Sequence, residues 1–205
     1  MTEATSVVRL EPSHYDAAAN ILARAFHTDP LWMYAVPDPV ARARALPGVF
    51  RWFVEYSELA GECLTTAGTP HAAALWLLEG SSQDSDAVVT QIKLATPGDA
   101  LGGDAARRFW KSADHLGELH RRELSALHWY LPWLGVDPDV QGRGIGGTLL
   151  RAMLERAQRE KLACYLETFQ PRNVEFYRKN GFRVVVESIE PSSNLPFWTF
   201  RRDPA

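Results

Sequence analysis

The stretch VDPDVQGRGIGGTLL, from Val136 to Leu150, constrains the fold more than any other part of the chain. It places four glycines, Gly142, Gly144, Gly146 and Gly147, between an apolar run and an amphipathic one. Without side chains, successive backbone N–H groups can converge on one anionic group, and the dipole of a following helix adds partial positive charge. Glycine clusters also make plain tight turns, so the flanking residues have to decide what this one holds.

A chain of 205 residues is read most simply as one domain with a real core, and 46% hydrophobic with 23% charged residues does not suggest disorder. A net charge of −3 argues against a nucleic-acid partner. MTEATSVVRLEP carries no basic stub followed by an apolar core, and no apolar run reaches membrane-spanning length, so the expectation is a cytoplasmic protein with no membrane association. Cys63 and Cys164 form no CxxC, and the six histidines lack metal-ligand spacing, so no metal is expected.

Periodicity orders the elements. Ser6–Leu10 reads as a strand, and Ser13 caps a helix reaching Phe26. His27–Pro39, with three prolines, reads as irregular, and a second helix runs from Val40 to Leu59. Strands follow at Glu62–Thr66 and His71–Leu78. Gly80–Gly103 is polar and glycine-rich, the expected flexible loop or lid, with Ala87–Leu94 as an ordered segment inside it. Asp104–Leu124 is helical, with Phe109, Ala113, Leu116 and Leu119 on one face. Then come a strand at Leu127–Val136, a helix at Gly146–Lys161, a strand at Ala163–Thr168, a short helix at Pro171–Asn180 stopped by Gly181, and strands at Phe182–Glu187 and Phe197–Arg201. The order implies an α/β or α+β fold: a mixed sheet with helices.

Read as Gly142-x-Gly144-x-x-Gly147, the glycines match the dinucleotide fingerprint, with Glu167 where a ribose-binding acid belongs; the implied activity is an NAD(P)-dependent oxidoreductase. Two facts count against it. Five residues, Asp137 to Gln141, separate the strand from Gly142, too many for a turn made directly off the strand end. Only 38 residues follow Glu167, too few for the further βαβ units that fold requires.

Read instead as Val136-x-Pro138-x-x-Gln141-Gly142-x-Gly144-x-Gly146, followed by Asn173 and Tyr177 on the next helix and by YRKNGF, the region Leu127–Val185 resembles the GNAT superfamily of acyl-CoA-dependent N-acetyltransferases. HWYLPWLGVDPDVQGRGIG is most similar to the small-molecule branch that includes puromycin N-acetyltransferase. The resemblance implies a twisted, mostly antiparallel sheet of six or seven strands whose central pair splays around acetyl-CoA. It implies a single domain over 1–205, with 1–126 on the substrate side and 127–185 binding acetyl-CoA. Leu134, Gly135, Val136, Gln141, Gly142, Arg143, Gly144, Ile145, Gly146, Gly147, Asn173 and Phe176 are then the expected cofactor contacts. Pro132, which cannot donate to a ladder, is compatible with either the splay or a bulge. The implied partner is a small-molecule or peptide amine, and a homodimer is an option the superfamily often takes. A non-catalytic acyl-CoA-binding module on the same fold stays open as an alternative.

Catalysis needs two proton movements. Deprotonating an amine of lysine-like pKa at neutral pH costs roughly 4–5 kcal/mol, so a base or a desolvated site must offset it. The departing thiolate gains from an acid, and Tyr177 holds the superfamily's position for that acid. For the base, strand alternation places Leu127, Trp129, Leu131 and Trp133 on one face and His128, Tyr130, Pro132 and Leu134 on the other. His128 and Tyr130 are therefore candidates, with Glu123 and Glu167 able to act through water, and the base is unresolved. By the same resemblance substrate contacts come from Asp29–Tyr34 and Ser188–Phe197. Asp29 would pair with a cationic amine, and Trp32, Tyr34, Trp129 and Trp198 would form an aromatic wall.

Overall fold

The computed structural model describes residues 6–80 and 85–205. Seven strands form one sheet: β1 (Val7–Arg9), β2 (Gly61–Thr66), β3 (Ala72–Glu79), β4 (His128–Val136), β5 (Ala163–Thr168), β6 (Arg183–Ile189) and β7 (Pro196–Arg202). Their spatial order is β1-β2-β3-β4-β5-β7-β6, and β4–β5 is the parallel pair among otherwise antiparallel neighbours. Two layers of helix cover it. On one face lie α1 (Tyr15–Ala25), α2 (Pro30–Ala35), α3 (Pro39–Ala60) and α6 (Gly103–Glu123); on the other lie α7 (Ile145–Glu160) and α8 (Val174–Lys179). No described helix is long and apolar enough to cross a membrane.

Each layer follows from a stripe of apolar side chains. α7 repeats Leu149, Leu150, Met153, Leu154 and Ala157 at helical spacing and buries them against Trp129, Leu131, Cys164 and Leu166. Each large side chain so buried contributes about 1.5–3 kcal/mol. On the opposite face Leu22, Leu46, Phe50 and Phe109 pack around Trp32 and Trp133.

Three sequence expectations change here. The segment His27–Pro39 is not wholly irregular: Asp29 caps α2 by accepting from the Leu31 N–H at 3.0 Å, with Pro30 at the first helical position, where its missing donor costs nothing. Ser13 does not cap the first helix; it lies in a 3-10 turn, Pro12–His14, that leads into α1. The expected loop Gly80–Gly103 carries α4 (Ser85–Gln91) and α5 (Pro97–Leu101), the latter started by a reciprocal Thr96–Asp99 capping box. Ser81–Asp84 lie outside the described residues.

The decisive irregularity is in β4. Leu75 pairs with Trp133 and Leu77 with Tyr130, so Leu131 and Pro132 together oppose Trp76. Proline supplies no N–H for the ladder, and a bulge absorbs the misfit. The bulge also reverses the alternation. Trp129 and Leu131 face α7, but so do Leu134 and Val136, while Trp133 and Gly135 turn toward α1 and α3. The expected grouping of Trp133 with Trp129, and of Leu134 with Tyr130, is thereby corrected. Pairing between β4 and β5 runs from His128↔Ala163 to Tyr130↔Tyr165, below the bulge; beyond it β5 pairs only with β7. The central strands splay from Leu131 onward.

Candidate active site

Two cavities meet at this splay. The first, of about 540 Å³, lies between the end of β4, the N-terminus of α7 and the start of α8. Its rim is the glycine loop. Gly142 and Gly144 hold φ of +78° and +81° with open space around them, so backbone conformation demands glycine there. At Gly146 space is tight, a Cβ standing 3.2 Å from Val136 Cγ2, and at Gly147 a Cβ would push aside the mobile end of Arg151, 3.1 Å away. The Gln141 side chain donates to the Val136 carbonyl at 3.0 Å, closing the loop, and Asp137 is tied to Arg24 of α1. No side chain caps α7, so its first amides are left for an anion.

Leu134, Gly135, Val136, Gln141, Gly142, Gly144, Ile145, Gly146, Gly147, Asn173 and Phe176 line this cavity with Tyr177. Arg143 does not; the cation in the lining is Arg172, with Gln170, Ala25 and Phe26 beside it, none of which a motif singled out. Gly135 is crowded from the other face: a Cβ would meet Leu22 Cδ2 at 2.8 Å. Asn173 does not cap α8 with its side chain, which donates to Thr168 Oγ1 at 3.4 Å. Tyr177 is 7% exposed, and burial together with the charge of Asp29 raises its hydroxyl above the usual tyrosine value. It is therefore a proton donor, not a phenolate, at neutral pH.

The second cavity, of about 340 Å³, lies across the sheet under α6 and shares Phe26 and Asp29 with the first. Those two residues mark the junction. Burial raises Asp29 to about 6 against its backbone bonds to Leu31 and Trp32. On the floor, burial raises Glu167 to about 8, with Glu79 adding to the effect and the Tyr130 hydroxyl opposing it. Glu79 is likewise raised by burial. Apolar walls come from Phe109, Leu116, Trp133 and Phe169.

Several expected substrate residues lie elsewhere. His128 lines neither cavity: its Nδ1 contacts the Ala126 carbonyl at 2.7 Å and its Nε2 contacts Nε2 of His120 at 2.6 Å. Trp32 is fully buried and stacks on Phe109 at 4.7 Å. Trp129 points to the α7 face, donating to Glu160 at 2.7 Å beneath the Arg156 guanidinium. Trp198 packs with that same face, and Tyr34 donates to the Ser192 carbonyl at 2.8 Å, joining α2 to the β6–β7 loop. Tyr130 and Asp29 do face the second cavity. His120 lines it and was missed, though Phe109, Ala113 and Leu116 extend at helical spacing to position 120.

This arrangement defines a class: a splayed central pair, a glycine loop at an uncapped helix and two cavities meeting between the strands. It is the arrangement of a GNAT acetyltransferase domain, and the chain carries a region of that kind. Residues 102–184 match the family described as acetyltransferase (GNAT) domain. An uncharacterized N-acetyltransferase of Schizosaccharomyces pombe is 25% identical over 207 residues, spanning 96% of this chain and 82% of its own length. Among solved structures, histone acetyltransferase HPA2 and related acetyltransferase from Corynebacterium glutamicum shares the fold with a TM-score of 0.70 at 22% identity, covering 98% of this chain and 97% of that one. An agmatine N-acetyltransferase shares it with a TM-score of 0.61 at 16% identity, covering 97% and 98%.

Proposed function

We propose that the protein transfers an acetyl group from acetyl-CoA to a primary amine of a small molecule, directly, within a ternary complex. The observation that carries this reading is the junction: a cavity rimmed by free helix amides and a cavity floored by carboxylates meet at Phe26 and Asp29, where β4 and β5 have parted. The chain acts as one domain, 1–126 forming most of the amine side and 127–185 the acetyl-CoA side, and works in the cytoplasm. Solved structures with the same fold include a polyamine N-acetyltransferase of Drosophila melanogaster and a mosquito protein called arylalkylamine N-acetyltransferase like 5b, which fits a small amine as acceptor.

Acetyl-CoA supplies the acyl group as a thioester. The amides of Gly142 to Gly147 would hold its pyrophosphate, with Arg172 nearby, and the unpaired edge of β4 from Leu134 to Val136 would hold the pantetheine arm together with Asn173. Asp29 orients the incoming ammonium at the junction. Glu167 accepts its proton: a carboxyl at about 8 matches the proton-transfer task far better than an ordinary one near 4. Tyr177 gives its proton to the departing sulfur. His128, walled off behind His120, is not the base in this scheme.

Calorimetric titration with acetyl-CoA, followed by an amine panel read as free-thiol release, tests the proposal. Binding with acetyl-CoA-dependent thiol release is expected. Binding without release across a broad panel would favour a non-catalytic acyl-CoA-binding module instead.

A further inference from the structure

The second cavity has two ends, and acetyl transfer uses only one. Near Phe26 and Asp29 it meets the acyl side. At the other end β4 and β5 are still paired, so the sheet beneath is closed. Glu79, the last residue of β3 and the partner of His128, reaches that closed end with His120 from the last turns of α6.

The hydrogen-bonding state of His120 follows from its neighbours. The Ala126 carbonyl only accepts, so Nδ1 of His128 carries a proton. Burial disfavours the charged form of both rings. In a neutral His128, Nε2 is then the lone-pair nitrogen, and Nε2 of His120, 2.6 Å away, donates to it. That leaves Nδ1 of His120 as an acceptor. Stacking on Tyr165, with centroids 4.1 Å apart and planes within 1°, fixes the ring's orientation. A rigid neutral acceptor thus stands in the same wall as the Glu79 carboxylate.

Charge leads to the same place. Besides Glu167, which burial keeps largely protonated at neutral pH, the cavity has Asp29 at the junction and Glu79 at the closed end, with the Arg121 charge acting on Glu79 and His120. One ammonium at Asp29 answers one of those two carboxylates. We infer that the cavity selects a dibasic acceptor, a compact amine whose far end carries a second protonated nitrogen held by Glu79 and by Nδ1 of His120, with His128 as the positioning residue that sets the His120 tautomer. The inference rests on the reading of this cavity as the amine side.

The test uses the native protein with acetyl-CoA and three matched amines: a short α,ω-diamine, the monoamine of equal chain length and the corresponding amino alcohol. The diamine is expected to show a kcat/KM at least about tenfold above the other two, the worth of one good charged contact, expressed in KM. Glu79→Gln and His128→Phe should each shrink the diamine-to-monoamine ratio through KM rather than kcat. If His128→Phe does not fold, Glu79→Gln carries the test alone. Equal efficiencies for diamine and monoamine, an amino alcohol that matches the diamine, or a preference that survives Glu79→Gln would each overturn the inference while leaving acetyl transfer intact. Failure of acetyl-CoA to bind in calorimetry would instead overturn the underlying reading, and the inference with it.

Discussion

Glu167 ionises in a place that penalises its charge, and this one residue links activity to stability. Its carboxyl sits at about 8 against 4.5 when unperturbed. As the proposed base it must be ionised, so kcat/KM should rise as pH increases through about 8, and Glu167→Gln should remove that limb from the profile. The stability sign is opposite. A raised folded-state pKa favours the fold fully below 4.5, and that advantage is lost as pH climbs through 8. Glu167→Gln should therefore raise Tm more at pH 8 than at pH 5, a difference that thermal melts at the two values would show. Tyr177→Phe keeps the ring that packs on Phe200 but removes the donor. It should lower kcat by at least about tenfold with little change in acetyl-CoA affinity, measured by steady-state kinetics beside calorimetry.

At the scale of elements, β4 does most to shape the site. Below the bulge it pairs with β5; above it, the strand is free to receive a ligand, and Gly135 lets α1 press close. Gly135→Val should cost about 1–3 kcal/mol in urea denaturation because it overpacks Leu22. Gly144→Val meets open space but needs a left-handed backbone, and its larger effect should be weakened acetyl-CoA binding in calorimetry. The glycine loop, its helix and the strand on either side were legible because φ requirements and helical periodicity are local properties. The bulge was foreseen only as an option at Pro132, since a proline announces a missing donor without saying how its neighbours adjust. That adjustment moved Trp133 into the lining of the second cavity and left Trp129 on the opposite face.

At the scale of the whole molecule, the β6–β7 loop is anchored to the helical layer by Glu190. The carboxylate is 1% exposed and accepts from Ser112 of α6 at 3.0 Å, from the Ser192 and Ser193 amides and from the Ser192 hydroxyl, while Tyr34 of α2 bonds the Ser192 carbonyl. Burial alone would raise Glu190, but these bonds outweigh it and hold the carboxyl down to about 2. A depressed pKa stabilises the fold above about 4.5, and that support disappears as pH falls toward 2. Glu190→Gln should cost about 2–3 kcal/mol at neutral pH and progressively less toward pH 2, as followed by denaturant titration across pH.

From the sequence alone came the strand–loop–helix around the glycines, most of the elements in their order along the chain and the place of Tyr177 on the helix after the next strand, because turn chemistry, side-chain period and motif spacing are written in consecutive residues. Only the tertiary structure decided which acids line the second cavity, that His120 and not His128 lines it with them, and that Arg172 rather than Arg143 lines the first. Those assignments depend on one extra residue in β4 and on helices far apart in the chain packing onto the same face of the sheet.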